Sequence, residues 1–338
     1  MYPNPSFSPI PVEDAAKLNM KRLTRGESTR WALVTVISNL IMTVLLLAFS
    51  SYVSNLPYEI EHAINYGSGE MLQQIAYSLL LFTIPYFIMA KATKQPLSSL
   101  VTYRWKKPAL SASFIMLALG AAMIINVLTN TFVNLVESFG FDTSMPEIEV
   151  PRDPVGAILF VVAITVVPAV VEEFAFRGVI MGSMKKYGSG FAVIASSVLF
   201  GLMHGNIVQI PFATALGLVL GYVTVMTGSI VPAMIIHFLN NLVAAAESVL
   251  SAFCAPWVDE LATGLCFIIY LILGVAGLIM ICKRYKKPFG AIKEKSAMTI
   301  GESVRAALAS GGFITSYIYF GGTACLILLI NEINTTWA

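Results

Sequence analysis

Long apolar runs separated by short polar stretches recur along the whole chain, and their length is the informative quantity. A helix needs about 20 apolar residues to cross about 30 Å of hydrocarbon. Runs of that size lie at 31–53, 74–91, 109–136, 155–183, 188–205, 209–227, 229–253, 262–282 and 311–331. The pattern predicts an all-α fold, a polytopic transmembrane helix bundle of about nine spans. Eight is the alternative, because the fifth and sixth runs, at 188–205 and 209–227, are short for a crossing. No stretch of soluble character interrupts them, so residues 31–338 read as a single transmembrane domain. Residues 1–30 read as a tail expected to be disordered and cytoplasmic, opening on the Pro-rich MYPNPSFSPIPVED.

Composition agrees with burial in lipid. Hydrophobic residues make up 57% of the 338 positions and charged residues 12%, against roughly 45–50% and about 25% in a soluble globular chain. The first apolar run starts only near Trp31 and has no small-residue cleavage site behind it, so it reads as a retained span and not a signal peptide.

Charge sets an expected orientation. Lys and Arg cluster in four places: Lys17 to Arg30, Lys91 to Lys107, Arg177 with Lys185 and Lys186, and Lys283 to Arg305. These hold 20 of the 21 basic residues, and nine spans put them all on one side, leaving Arg152 opposite. The positive-inside rule makes that side the cytoplasm, with the N-terminus on it, in a cell membrane. The basic stretch 283–305 is suited to contact with anionic headgroups as well as to being a plain cytoplasmic loop. Cys254, Cys266, Cys282 and Cys325 show no C-x-x-C spacing and read as reduced packing residues. Nothing points to nucleic acid, and the oligomeric state is not written in the sequence.

Ionisable residues inside spans carry the candidate chemistry. At the bilayer centre such a side chain costs at least ~2.5–3.5 kcal/mol, so an intramembrane acid is a functional hypothesis by default. The fourth run contains VVPAVVEEFAFRGVI, with Glu172 and Glu173 adjacent and Arg177 four residues after Glu173. That spacing pairs Glu173 with Arg177 on one helix face and turns Glu172 about 100° away, free for other work. Of three histidines, His204 and His237 lie in spans; Phe200 precedes His204 by four and Asn241 follows His237 by four. His62 reads as a surface residue beside Glu61. At ~1.5 Å per residue, Glu172, His204, His237 and Asn241 fall at roughly 20, 24, 14 and 20 Å above the feet of their spans, near enough for one chamber.

In such a chamber Glu172 with His204 can activate a water, while His237 and Asn241 donate hydrogen bonds to the oxyanion of an attacked peptide carbonyl. A zinc site built from Glu172, His204 and His237 is the other reading by ligand type. The chain lacks H-E-x-x-H and would draw those ligands from three helices, so no cofactor is the preferred expectation. Polar residues that merely join helices, and a proton-coupled transporter using the Glu pair as its relay, are the non-enzymatic readings. The second predicts matching features in two halves, and no internal repeat is evident.

Taken in order, E-E-x-x-x-R (Glu172, Glu173, Arg177), F-x-x-x-H (Phe200, His204) and H-x-x-x-N (His237, Asn241) resemble the three motifs of the CAAX protease and bacteriocin-processing family of intramembrane proteases. They fall within a core at 155–253. The resemblance implies an endopeptidase acting on membrane-presented peptide or protein, its chamber reached from the cytoplasm. It implies Glu172 with His204 as the water-activating pair, His237 with Asn241 as the oxyanion site, and Glu173, Arg177 and Phe200 in support. Bacterial relatives are linked to bacteriocin or pheromone maturation, self-immunity and scaffolding. A bacterial source and a non-catalytic scaffold or immunity role are therefore also implied.

Overall fold

The computed structural model describes residues 12–93, 95–105, 107–144, 148–284 and 297–337, and every regular element among them is helical. In chain order these are α1 (Val12–Val53), α2 (Ser68–Ala92), α3 (Pro108–Ser138), α4 (Pro154–Tyr187), α5 (Ser189–Leu202), α6 (Gln209–Thr227), α7 (Val231–Phe253), α8 (Pro256–Arg284), α9 (Ile300–Leu308) and α10 (Gly311–Asn331). Short helices at Tyr58–Asn65 and Leu97–Leu100 sit in the connections. Eight of the described helices are long and apolar enough to cross a membrane, so the chain is a multi-pass membrane protein. Outward-facing Leu40, Val44 and Leu47 on α1 and Ile268, Ile272 and Val275 on α8 present the surface that lipid would cover.

The expected ninth span, 188–205, is the exception. Its helix α5 has 14 residues, about 21 Å at 1.5 Å each, short of the ~30 Å slab. The reason is local. Gly205 takes φ +59°, and the Asn206 side chain accepts hydrogen bonds from the backbone N–H groups of Val208 and Gln209, starting α6. α5 still reverses the chain direction, because it packs antiparallel on α6 with Gly201 against Thr214, Ser197 against Gly217 and Val193 against Gly221.

The tail also differs from expectation. Only residues 1–11 lie outside the described part; from Val12 onward the segment is helical and continuous with the first span. Its inner face is buried, with Thr24, Glu27 and Ser28 no more than 3% exposed. Glu27 accepts from Trp31 Nε1 at 3.0 Å and meets Lys186 Nζ at 3.4 Å, Arg25 donates to the carbonyl of Ala309, and Lys17 pairs with Glu302 at 2.6 Å. A polar stretch read as unfolded is therefore ordered by polar partners supplied from α4 and α9. Most of the basic 283–305 stretch, residues 285–296, lies outside the described residues. The four cysteines are free; Cys254, Cys282 and Cys325 are exposed and do not pack the interior, whereas Cys266 is half-buried.

Two features of α4 prepare the site. Asp153 caps its start, accepting from Gly156 N–H at 2.7 Å and from Ser68 Oγ at 2.9 Å, and these bonds hold the Asp153 carboxyl below its usual range. Further along, π-helical turns at Val162–Val166 and Phe174–Ile180 bracket Glu172 and Glu173. Such turns interrupt the regular ladder and are frequent at functional sites.

Candidate active site

Pro168 lies between the first π turn and the glutamates, and it lacks the N–H that would satisfy the carbonyl of Ile164 four residues earlier. Asn241 supplies a donor instead, its Nδ2 lying 3.1 Å from that carbonyl oxygen. A break in α4 is thus repaired from α7, and the repair brings Asn241 beside Glu172.

Glu173 is fully buried and divides one oxygen between two partners. Its Oε1 accepts from Arg177 Nη1 at 2.9 Å and from His237 Nδ1 at 3.0 Å. The ion pair is the one that the i,i+4 spacing anticipates; the histidine contact is not legible in the sequence. With Nδ1 held against the Glu173 carboxylate, Nε2 is the His237 nitrogen turned toward Glu172. That nitrogen lies 3.9 Å from Glu172 Oε2, beyond a direct hydrogen bond. His204 is fixed in the same way: its Nδ1 lies 2.8 Å from the carbonyl oxygen of Phe200, which only accepts, so Nδ1 carries the proton and Nε2 is free.

Phe200 organises these groups. Its ring lies under the Arg177 guanidinium at 4.2 Å and meets the rings of His204 and His237 edge-on at 5.1 and 6.0 Å. Phe176 closes the far side at 5.2 Å. Gly217 on α6 leaves room for the guanidinium, since a Cβ there would stand 3.2 Å from Arg177 Nη2. The F-x-x-x-H spacing therefore delivers a cation–π platform, a carbonyl and two ring contacts from one residue.

The result is a cavity of about 200 Å³ bounded by Glu172, His204, His237 and Asn241, with Phe200 and Pro168 in its wall and Gln209, Phe212, Ala213 and Leu216 of α6 across from them. All four expected reactive residues reach it, while Glu173 and Arg177 stand behind it, wholly buried. Glu172 is 12% exposed and so open to the cavity. Residues 203–208, which are non-helical, border it through His204; within a bilayer such irregular backbone is tolerated where it lines a cavity. Gln209 and Pro168 also line the cavity, and no motif spacing singles them out in the sequence. A larger groove of about 590 Å³ between α3, α5 and α6, walled by residues such as Phe114, Leu117 and Val219, has no charged group. His62 is exposed and stacked on Tyr66 at 4.6 Å, remote in sequence and contacts from the cavity.

The donor set shares one feature with zinc sites. Both histidines hold Nδ1 against an acceptor, as metal-bound histidines do. Among the described residues, however, no three His, Cys, Asp or Glu side chains converge closely enough to hold a metal ion. The residues as placed do not form the Glu172, His204, His237 site, and no step is derived through a metal.

No curated protein and no solved structure matches the chain. Residues 154–243 match the model of the type II CAAX prenyl endopeptidase Rce1-like family, about a quarter of the chain. That stretch contains Glu172, Glu173, Arg177, Phe200, His204, His237 and Asn241, and it is there that the chain is similar to the Rce1-like CAAX endopeptidases.

Proposed function

We propose that the protein is an intramembrane endopeptidase that hydrolyses membrane-presented peptide or protein through a water activated by Glu172. The observation that carries this reading is the convergence of Glu172, His204, His237 and Asn241 on one small cavity, with Glu173 and Arg177 buried behind it. The 3.9 Å between Glu172 Oε2 and His237 Nε2 is the separation one water spans by hydrogen bonding to both. Held so, the water has a lone pair left for the substrate.

In the step that follows, the water oxygen bonds to the peptide carbonyl carbon as Glu172 takes its proton, and the carbonyl π electrons move to oxygen. Asn241 uses one amide hydrogen on the Ile164 carbonyl and keeps the second for that oxyanion. When the carbonyl re-forms, the C–N bond breaks and the leaving amine takes a proton relayed from Glu172. His204 Nε2 faces the same cavity and serves as the relay. This assigns His237 next to the water and His204 to the leaving group, a partial exchange of the roles that the resemblance implies. Glu173 positions His237 by holding its Nδ1.

By the positive-inside rule the Lys- and Arg-bearing face is cytoplasmic, and the substrate meets the chamber from that side. Lipid and substrate are the partners this reading requires.

The test is cleavage of a quenched peptide library by purified protein in nanodiscs, comparing wild type with Glu172→Ala and His204→Ala, with and without a strong chelator. Activity lost in both variants and indifferent to chelator supports the glutamate mechanism. Chelator sensitivity overturns the metal-free step. Absence of cleavage with folded protein shifts the reading to a scaffold or immunity protein that keeps the fold.

A further inference from the structure

Lys17, Lys21 and Arg25 follow one another at intervals of four and so share one face of α1, and Arg305 of α9 stands across from them. Between the two helices lies a cavity of about 330 Å³ that shares no residue with the candidate active site. We propose that this cavity binds a phosphate monoester or free phosphate, the first carried by an anionic phospholipid headgroup and the second by solution. Four cations line the cavity, and Glu302 is the one acid among its described lining residues, an excess of three positive charges. Like charges gathered in a concavity repel one another and focus a positive potential, and a bound anion relieves both.

The two ends of the cavity are tied and its middle is open. Lys17 pairs with Glu302 at 2.6 Å, and Arg25 Nη2 donates to the carbonyl oxygen of Ala309 at 3.0 Å. Between these ties Lys21 and Arg305 make no hydrogen bond or ion pair among the described residues. Arg25 spends one of its N–H donors on Ala309, and its planar fork suits the oxygens of a phosphate. A phosphate monoester carries about −1.5 to −2 charges and three strong acceptor oxygens, a closer match to three surplus cations than a carboxylate with its single charge. Position admits both sources. Arg25 precedes Trp31, where the apolar run of α1 starts, by six residues, about 9 Å along the helix, and Lys17 lies about two turns further out. A lipid headgroup therefore enters from the Arg25 end and a soluble anion from the Lys17 end. Bound between them, the phosphate joins the polar start of α1 to α9.

The experiment reads the unfolding midpoint of the full chain in nanodiscs. Discs of phosphatidylcholine alone are compared with discs of phosphatidylcholine and phosphatidic acid, and the neutral discs are also titrated with potassium phosphate against potassium chloride at equal ionic strength. Lys21→Gln with Arg305→Gln removes the two open cations and keeps both ties. Arg22→Gln with Lys283→Gln removes two exposed cations that do not line the cavity. The wild-type midpoint is expected to rise by about 3 °C or more with phosphatidic acid, with phosphate or with both, and the probe that raises it identifies the source. The Lys21 and Arg305 double variant is expected to lose most of that rise, and the Arg22 and Lys283 variant to keep it. Lys21→Gln and Arg305→Gln made singly are each expected to lose part of the rise, which keeps the test readable if the double variant folds poorly. No rise with either probe overturns the proposal. Equal loss in the two double variants also overturns it, because the effect is then one of general surface charge.

Discussion

Helices α4 and α8 are both near thirty residues, strongly apolar and long enough to span, yet they are built on opposite principles. α8 runs without interruption and exposes Leu265, Ile268, Ile272 and Val275. It is held by close backbone approach, with a Cβ on Gly274 falling 2.8 Å from the Gly120 Cα of α3 and one on Gly277 falling 2.6 Å from the Leu117 nitrogen and the Ser113 carbonyl oxygen. Packing of small residues is a general way to join helices where lipid is as apolar as the side chains. α4 is interrupted by two π turns and a proline, and it buries a glutamate–arginine pair at 2.9 Å. Its partners hold it by hydrogen bonds, from Asn241 and His237 of α7, and by the Phe200 platform of α5. Apolarity thus makes a span, and interruptions of it make a site.

This contrast is exposed most sharply by Arg177→Met. It leaves Glu173 buried without its cation, and loss of one partner of a buried pair costs about 3–5 kcal/mol. The loss should appear as a large drop in the unfolding midpoint in detergent, and the double variant Glu173→Gln with Arg177→Met should recover part of it. Asn241→Leu comes next: removal of an oxyanion donor is expected to reduce kcat about 10²–10³-fold, measured on the cleaved peptide. On the other helix, Gly274→Leu should cost about 1–3 kcal/mol through overpacking against Gly120 while leaving kcat/KM within twofold. A fall in activity as large as that of Asn241→Leu would dissolve the distinction between the two helices.

The smallest effect belongs to the tail. Lys17 and the Thr299 cap pull the Glu302 carboxyl from its ordinary 4.5 to about 2. A depressed carboxylate contributes stability that is present above its ordinary value and fades as pH falls from there through about 2. Glu302→Gln should therefore lower the unfolding midpoint slightly at pH 7 and make no difference at the acid end, a comparison readable in two melts.

Much of this arrangement is legible in residue spacing. Period and length give the spans, and the i,i+4 intervals at Glu173/Arg177 and Phe200/His204 give the local pairings. Two things escape it. Polar contacts between distant segments, such as Glu27 with Lys186 and Glu173 with His237, have no local signature, and so the tail read as disordered and the second partner of Glu173 was missed. Helix length is also set by small local devices: Gly205 and Asn206 end α5 inside an apolar run that looks long enough to continue.

The central claim is that Glu172 takes the proton of the attacking water. It is tested most directly by the single-turnover rate of peptide cleavage for wild type and Glu172→Gln, both in nanodiscs, in chelator, with matched unfolding midpoints. The account predicts cleavage by the wild type and a rate lower by about 10³-fold or more in the variant, near the upper range for loss of a general base. A variant that cleaves within tenfold of the wild type would contradict it.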